Sequence, residues 1–190
     1  MKYFALTLLA LVSLSASAAP PQGWIVAGSA PKDYEFGTDE THAADGKKSA
    51  FIKAAPAAGV AGFGTLMQMF AADDYRGGRW KLSARMRTKD VAKAQLWMRV
   101  DGPDNKVNAF DNMESRPVVG DSEWTRYEIV LDVANDSIAV AFGFFLAGGK
   151  GEVWADDFKL EKVTAATPVT GSAGNRPRGP SNLSFEQSGK

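Results

Sequence analysis

Residues 79–87, Arg-Trp-Lys-Leu-Ser-Ala-Arg-Met-Arg, place Trp80, Leu82, Ala84 and Met86 on one side and Arg79, Lys81, Ser83, Arg85 and Arg87 on the other. Strict period-two alternation of this kind predicts a half-buried strand. Residues 94–100 repeat it, with Ala94, Leu96, Met98 and Val100 opposite Gln95, Trp97 and Arg99. Residues 126–132 do so again, Tyr127, Ile129 and Leu131 lying opposite Arg126, Glu128 and Asp132. In 138–146 the second side, Ala139, Ala141, Gly143 and Phe145, is itself apolar, which predicts a central strand covered on both faces. Further strand-like runs occupy 24–27, 49–54, 64–70 and 152–163, separated by turn-rich pieces such as 101–104 and 148–151. Only 71–75 suggests a helical turn. Many short strands without crossover helices predict an all-β fold, a β-sandwich of the jelly-roll kind, and disfavour a doubly wound α/β enzyme.

The two ends of the chain read differently. Residues 1–18 join one Lys, a short run rich in Phe, Ala and Leu, and Ala16-Ser17-Ala18 at a cleavage-like position. This is the pattern of a signal helix cleaved near Ala18, with about 12 apolar residues where a membrane span needs about 20. The expected location is therefore the periplasm or the cell exterior, with no membrane span. Residues 164–180 are a Pro/Gly-rich linker without periodicity, and 181–190 contain one more strand-like piece, Asn182-Leu183-Ser184-Phe185-Glu186. The expected organisation is a signal at 1–18, a sandwich at 19–163, the linker, and a C-terminal strand that either completes the sandwich or begins a vestigial module.

Composition narrows the chemistry. The 190 residues hold 22 basic and 22 acidic groups, one His and no Cys, and removing 18 residues with Lys2 leaves 172 with a formal charge of minus one. No disulfide, thiolate metal site or cysteine nucleophile can be built, and the chain has no net field to attract nucleic acid or an anionic membrane. The lone His42 is expected to be a solvated loop residue. No Gly-x-Ser-x-Gly, zinc-protease or phosphate-loop motif occurs. The more suggestive set is the polar side of the alternating strands. Trp97 between Gln95 and Arg99, with Arg85 and Glu128 nearby, offers an aromatic surface beside planar hydrogen-bonding groups, the combination that recognises sugars. Asp111 and Asn112, in the loop after that strand, are candidate rim residues. The alternative is that Trp97 is covered, under a loop or beneath Phe110 and Met113.

Several short runs carry a family resemblance: Gly23-Trp24, Gly46-Lys47-Lys48-Ser49, Trp80-Lys81-Leu82-Ser83-Ala84, Trp124-Thr125-Arg126-Tyr127 and Trp154-Ala155-Asp156-Asp157. Over residues 23–163 the chain resembles bacterial galactose-binding-like jelly-roll domains, whose plan is shared with carbohydrate-binding modules. The resemblance implies a structural calcium held by Asp157, Glu186 and main-chain oxygens around residues 45–48. The alternative is that Lys47 or Lys48 replaces the cation. Similar domains occur attached to secreted hydrolases and to transcriptional regulators; with an export signal and no helix-turn-helix, the regulator setting is not expected. The expected function is an exported non-catalytic module binding a carbohydrate or other small polar ligand. Two others stay open: a structural or protein-interaction domain of the envelope, and a hydrolase using Glu128 with Asp111 or Glu114. Oligomeric state is open.

Overall fold

The computed structural model describes residues 19–171. The signal at 1–18, most of the linker and the C-terminal strand with Glu186 lie outside the described residues. Within them the chain forms nine strands: β1 (Ile25–Gly28), β2 (Tyr34–Asp39), β3 (Ser49–Ala54), β4 (Phe63–Ala71), β5 (Gly78–Asp101), β6 (Val107–Asp111), β7 (Val118–Val133), β8 (Ala139–Ala147) and β9 (Glu152–Val163). Two short 3-10 turns, Pro31–Asp33 and Asp73–Tyr75, are the helical elements among these residues.

The two alternating runs at 79–87 and 94–100 are one strand. Its first half pairs with β7 and β9, its second with β8 and β6. Between them the register against β7 slips three times, and Asp90 takes a positive φ of 50°. Such irregularities bend a strand, which here passes from one layer of the sandwich to the other. One layer runs β2-β3-β9-β5-β7, the other β1-β4-β8-β5-β6, all antiparallel.

The inner faces hold the residues that alternation assigned to them. Leu82, Ala84 and Met86 from one half of β5 and Ala94, Leu96, Met98 and Val100 from the other are buried, with Ile129 and Leu131 of β7 and Phe144 and Leu146 of β8. Aromatic rings join the layers: Phe158 of β9 lies 6.0 Å from Phe142 and 6.1 Å from Phe144, and Trp24 lies 4.9 Å from Phe158. Ile138 departs from its predicted core position. It precedes β8 and is 51% exposed.

β9 changes faces part-way. Val153 and Ala155 point inward, yet further along Phe158 and Leu160 pack on the core. The switch needs one extra residue, and the register supplies it: Ser83 faces Lys159 and Arg85 faces Asp156, two steps on β5 against three on β9. Asp157, at φ 50°, occupies this bulge. The Asp156-Asp157 pair therefore has a backbone role.

Part of the predicted linker is fixed in place. Arg79 donates to the carbonyls of Ala165 and Thr167 at 2.9 and 2.6 Å, and the Thr170 N–H donates to the Val130 carbonyl of β7 at 3.0 Å.

Candidate functional site

The outer face of the β1-β4-β8-β5-β6 layer carries a cleft of about 750 Å³. Strand register builds it in rows. Ile25, Met67, Gly143 and Trp97 face one another in sequence across β1, β4, β8 and β5; Ala27, Thr65, Phe145 and Gln95 form the next row, and Met69, Ala141, Arg99 and Phe110 another. Alternation along each strand sends these side chains outward because Leu66, Leu96, Met98 and Phe144 between them point into the core.

Trp97 lies in the floor. Its Nε1–H donates 3.0 Å to the Thr65 hydroxyl on β4, two strands away, and that hydroxyl donates 2.8 Å to the Phe144 carbonyl. The indole therefore spans β8, where its paired residue is Gly143. A Cβ at Gly143 would come within 2.1 Å of the Leu66 carbonyl oxygen, so that position accepts glycine alone. Trp97 faces away from the core as alternation predicts, but at 8% exposure it is covered, so the indole is not the open aromatic surface that sugar recognition by Trp97 calls for. Its remaining surface lines the cleft. Among the aromatic rings lining it, Phe110 is 37% exposed, and Phe63 and Phe145, both half-buried, lie 5.3 Å apart.

Polar groups surround this apolar floor. Arg99 is held by Asp101 through two bonds of 2.7 and 3.0 Å. Lys93 contacts both oxygens of Glu114 at 2.6 and 2.7 Å, and Lys93 pulls the Glu114 carboxyl below its ordinary value. Asn112 donates to the same carboxylate at 3.4 Å. Gln95, in the row next to Trp97, is fully buried, and its amide is near the Glu114 carboxylate without a well-formed hydrogen bond among the described residues.

The predicted site residues divide. Trp97, Arg99 and Asn112 meet in the cleft, and Gln95, on the same strand face, is buried and does not line it. Asp111 is buried and serves its loop: it accepts from Arg116 at 2.6 Å and from the Met113 N–H at 2.8 Å. Arg85 and Glu128 lie on the outer face of the other layer, because the bend in β5 carries residues 79–87 away from 94–100. Glu128 faces Lys81 at 3.4 Å there, and Arg85 approaches Asp157 at 3.8 Å. Asp111 is engaged by Arg116 and Glu128 by Lys81, and the Arg116 guanidinium also reaches the Glu128 carbonyl at 3.3 Å.

The described part of the implied calcium site does not fit a cation. Asp157 is surrounded by Arg126, which bonds it directly, by Lys159 at 3.2 Å and by Arg85, and the Arg126 guanidinium holds its carboxyl below the ordinary range. Asp156, not Asp157, faces the 44–48 turn, and the turn offers it N–H groups: Ala44 and Asp45 donate at 2.9 and 3.0 Å. Calcium requires oxygens there. Lys48 instead pairs with Glu40. Among the described residues no group of three or more acidic or His side chains is placed to hold a metal.

A second depression, about 450 Å³, lies on the other layer between His42, Arg87, Lys89, Glu152 and Trp154. His42 lies in the loop after β2 with its side chain 35% exposed, but it is engaged there. Its Nδ1 donates 2.8 Å to Asp39, which also accepts 2.8 Å from the Trp154 indole, and its ring lies 4.7 Å from that of Trp154. Partial burial pushes the Asp39 carboxyl up, but hydrogen bonds from Thr41, His42 and Trp154 outweigh it and hold the group far below the usual carboxylate range.

The architecture has relatives among solved structures. It superposes on the CBM22-1 xylan-binding domain of Paenibacillus barcinonensis Xyn10C with a TM-score of 0.53 at 16% identity, covering 78% of this chain and 91% of that one. The shared architecture is a β-sandwich. It also matches the enzymatically active domain of bacteriophage CBA120 tailspike protein 4 (TM-score 0.57, 14% identity, 75% of this chain but 20% of that one) and the second family 16 carbohydrate-binding module (TM-score 0.52, 15% identity, 67% and 86%). Identities this low establish the fold alone. In sequence, the chain is 41% identical over 169 residues to the uncharacterized HTH-type transcriptional regulator YbfP of Bacillus subtilis (strain 168). The match covers 87% of this chain and 57% of the relative's length. No family model matches.

Proposed function

We propose that this chain is a non-catalytic binding module and that the cleft above Trp97 takes a carbohydrate or similarly polyhydroxylated ligand. The observation that carries the reading is the composition of the cleft: an apolar floor with an accessible Phe110 ring, walled by Arg99, Lys93, Asn112 and Glu114. Sugar C–H faces pack on such a ring, while the wall groups bond hydroxyls. The sandwich fold shared with xylan-binding modules supports it, since ligand sites favour concave surfaces with a few convergent polar groups.

A second setting is favoured by the 41% identity to a protein named as a transcriptional regulator. In that setting the same cleft is the ligand sensor of a regulatory protein. The setting turns on export. Fractionation with N-terminal sequencing decides it: a start just after Ala18 in the exported fraction favours the free module, and an uncleaved cytoplasmic chain favours the sensor.

The binding test is calorimetric titration with xylohexaose and a panel of soluble glycans against the wild type and Phe110→Ala. Phe110 is partly exposed, so its loss spares the core. The expected result is saturable binding weakened about tenfold or more by the substitution, a loss of about 1.4 kcal/mol. Equal affinity in the two proteins would place the ligand outside the cleft.

A further inference from the structure

The depression beside Trp154 is separate from the cleft, on the outer face of the β2-β3-β9-β5-β7 layer. Register again gives its rows: Gly37, Phe51, Trp154 and Arg87 in one, Glu35, Lys53, Glu152 and Lys89 in the next. The β7 residues Asp121, Ser122 and Glu123 form the far wall.

The position of Trp154 is fixed from several sides. Asp39 accepts from its N–H, His42 lies against its ring, and the Arg87 guanidinium carbon sits 5.8 Å from its centroid. His42 is fixed in turn. Its Nδ1–H engages the Asp39 carboxylate, and the Ser49 hydroxyl donates to its carbonyl oxygen. Because an ionised carboxylate only accepts, neutral His42 carries its proton on Nδ1 and leaves Nε2 as an acceptor.

Several strong hydrogen-bonding groups in this depression are unengaged. Arg87 comes no nearer a carboxylate than 3.6 Å, from Nε to Glu123, and its two terminal nitrogens have no hydrogen-bond partner among the described residues. Lys89 and Glu152 face one another across the strand pair, yet neither forms an ion pair within 4 Å among those residues. Burial pushes the Glu152 carboxyl up, against the nearby cations Lys53 and Lys89. A half-buried carboxyl without a partner is a costly group to maintain unless something bonds it.

Charge decides the class of ligand. The lining sets Arg87 and Lys89 against Asp121, Glu123 and Glu152, and Lys53 and Asp39 beside it add one charge of each sign. Cations and carboxylates are thus interspersed, with only a small excess of acid and no strong field for a free anion or cation. Paired donors beside acceptors suit vicinal hydroxyls, each of which donates one hydrogen bond and accepts others. We infer that the depression lined by His42, Arg87, Lys89, Glu152 and Trp154 is a second ligand site, taking a single neutral sugar unit through a vicinal diol, independent of the cleft above Trp97. Glu152 and His42 Nε2 accept from the diol, and Arg87 and Lys89 donate to it.

Indole N–H signals in a 1H–15N NMR spectrum read the two sites separately. Trp154 reports the depression, Trp97 the cleft, and Trp80, whose N–H is held by the Tyr75 carbonyl, is a remote control. The probes are D-xylose, D-galactose, D-glucose and N-acetylglucosamine. The expected result is a saturable shift of the Trp154 signal with at least one of them, retained in Phe110→Ala and weakened about tenfold or more in Arg87→Met. The groups facing Glu152 are Lys53 on β3, Lys89 on β5, and Asp39 and His42 at and after the end of β2. As pH falls and Glu152 protonates, affinity should drop in the wild type and change less in Glu152→Gln, which keeps an acceptor oxygen. A still Trp154 signal with all four sugars, or a shift unchanged in Arg87→Met, overturns the inference. A shift at Trp154 with none at Trp97 would leave this site standing while the cleft reading fails.

Discussion

Trp97 is an anchored floor residue whose one polar atom is committed to Thr65. Replacing it with Phe removes that bond and some contact area, an expected loss of about 1 kcal/mol. Replacing it with Ala leaves a cavity beneath the cleft, an expected loss of about 3–5 kcal/mol. Urea unfolding measures both; a Trp97→Ala loss below about 1 kcal/mol would mean the indole is not packed as described. Asp39 offers a different check. Its carboxyl is held below the ordinary range, so its contribution to stability is complete above the unfolded-chain value of about 3.9 and declines as pH falls toward the folded one. Between about pH 5 and pH 3 the wild type should lose stability more steeply than Asp39→Asn. Parallel pH profiles would contradict the network around His42. Sequence could name Trp97 and Arg99, because alternation puts them on one face. It could not pair His42 with Asp39 and Trp154, since the ring of Trp154 comes from the far end of the chain.

Alternation in the sequence located seven strand regions, including β3 and β9 at their observed limits, and assigned most inward residues correctly. It missed β2 and β6, where Gly37 and Asn108 break up short runs. It also placed Arg85 and Glu128 beside Trp97. Period two tells which side of a strand a residue takes, but says nothing of a bend that moves half of β5 into another layer. The doubled Asp in β9 carried the other misreading. A bulge and a metal ligand pair look alike in one dimension, and what separates them here is the set of N–H groups and cations around the two carboxylates. Gly143 tests the register of the cleft layer. Gly143→Ala forces a methyl group against the Leu66 carbonyl, and the expected loss is about 1–3 kcal/mol by urea unfolding. A neutral substitution would mean that β4 and β8 are spaced differently.

For the whole molecule, residues 164–171 belong to the sandwich as well as to the linker. Ending the chain at Val163 removes the carbonyl partners of Arg79 and the two bonds between Thr170 and Val130 of β7, and an expected loss of about 2–4 kcal/mol follows from these four hydrogen bonds, by urea unfolding. A truncated chain as stable as the full one would show residues 164–171 to be a passive tail. The two outer faces give the molecule two separate surfaces. One is an apolar-floored cleft and the other a small charged depression, with the bent strand β5 contributing to both. The central claim is that the cleft binds a glycan, and a glycan array probed side by side with the wild type and an Arg99→Ala/Phe110→Ala double variant tests it most directly. The expected result is a defined set of glycans retained by the wild type and lost by the double variant, with both proteins folded by circular dichroism. Retention of no glycan by the wild type, or of the same set by both, would contradict it.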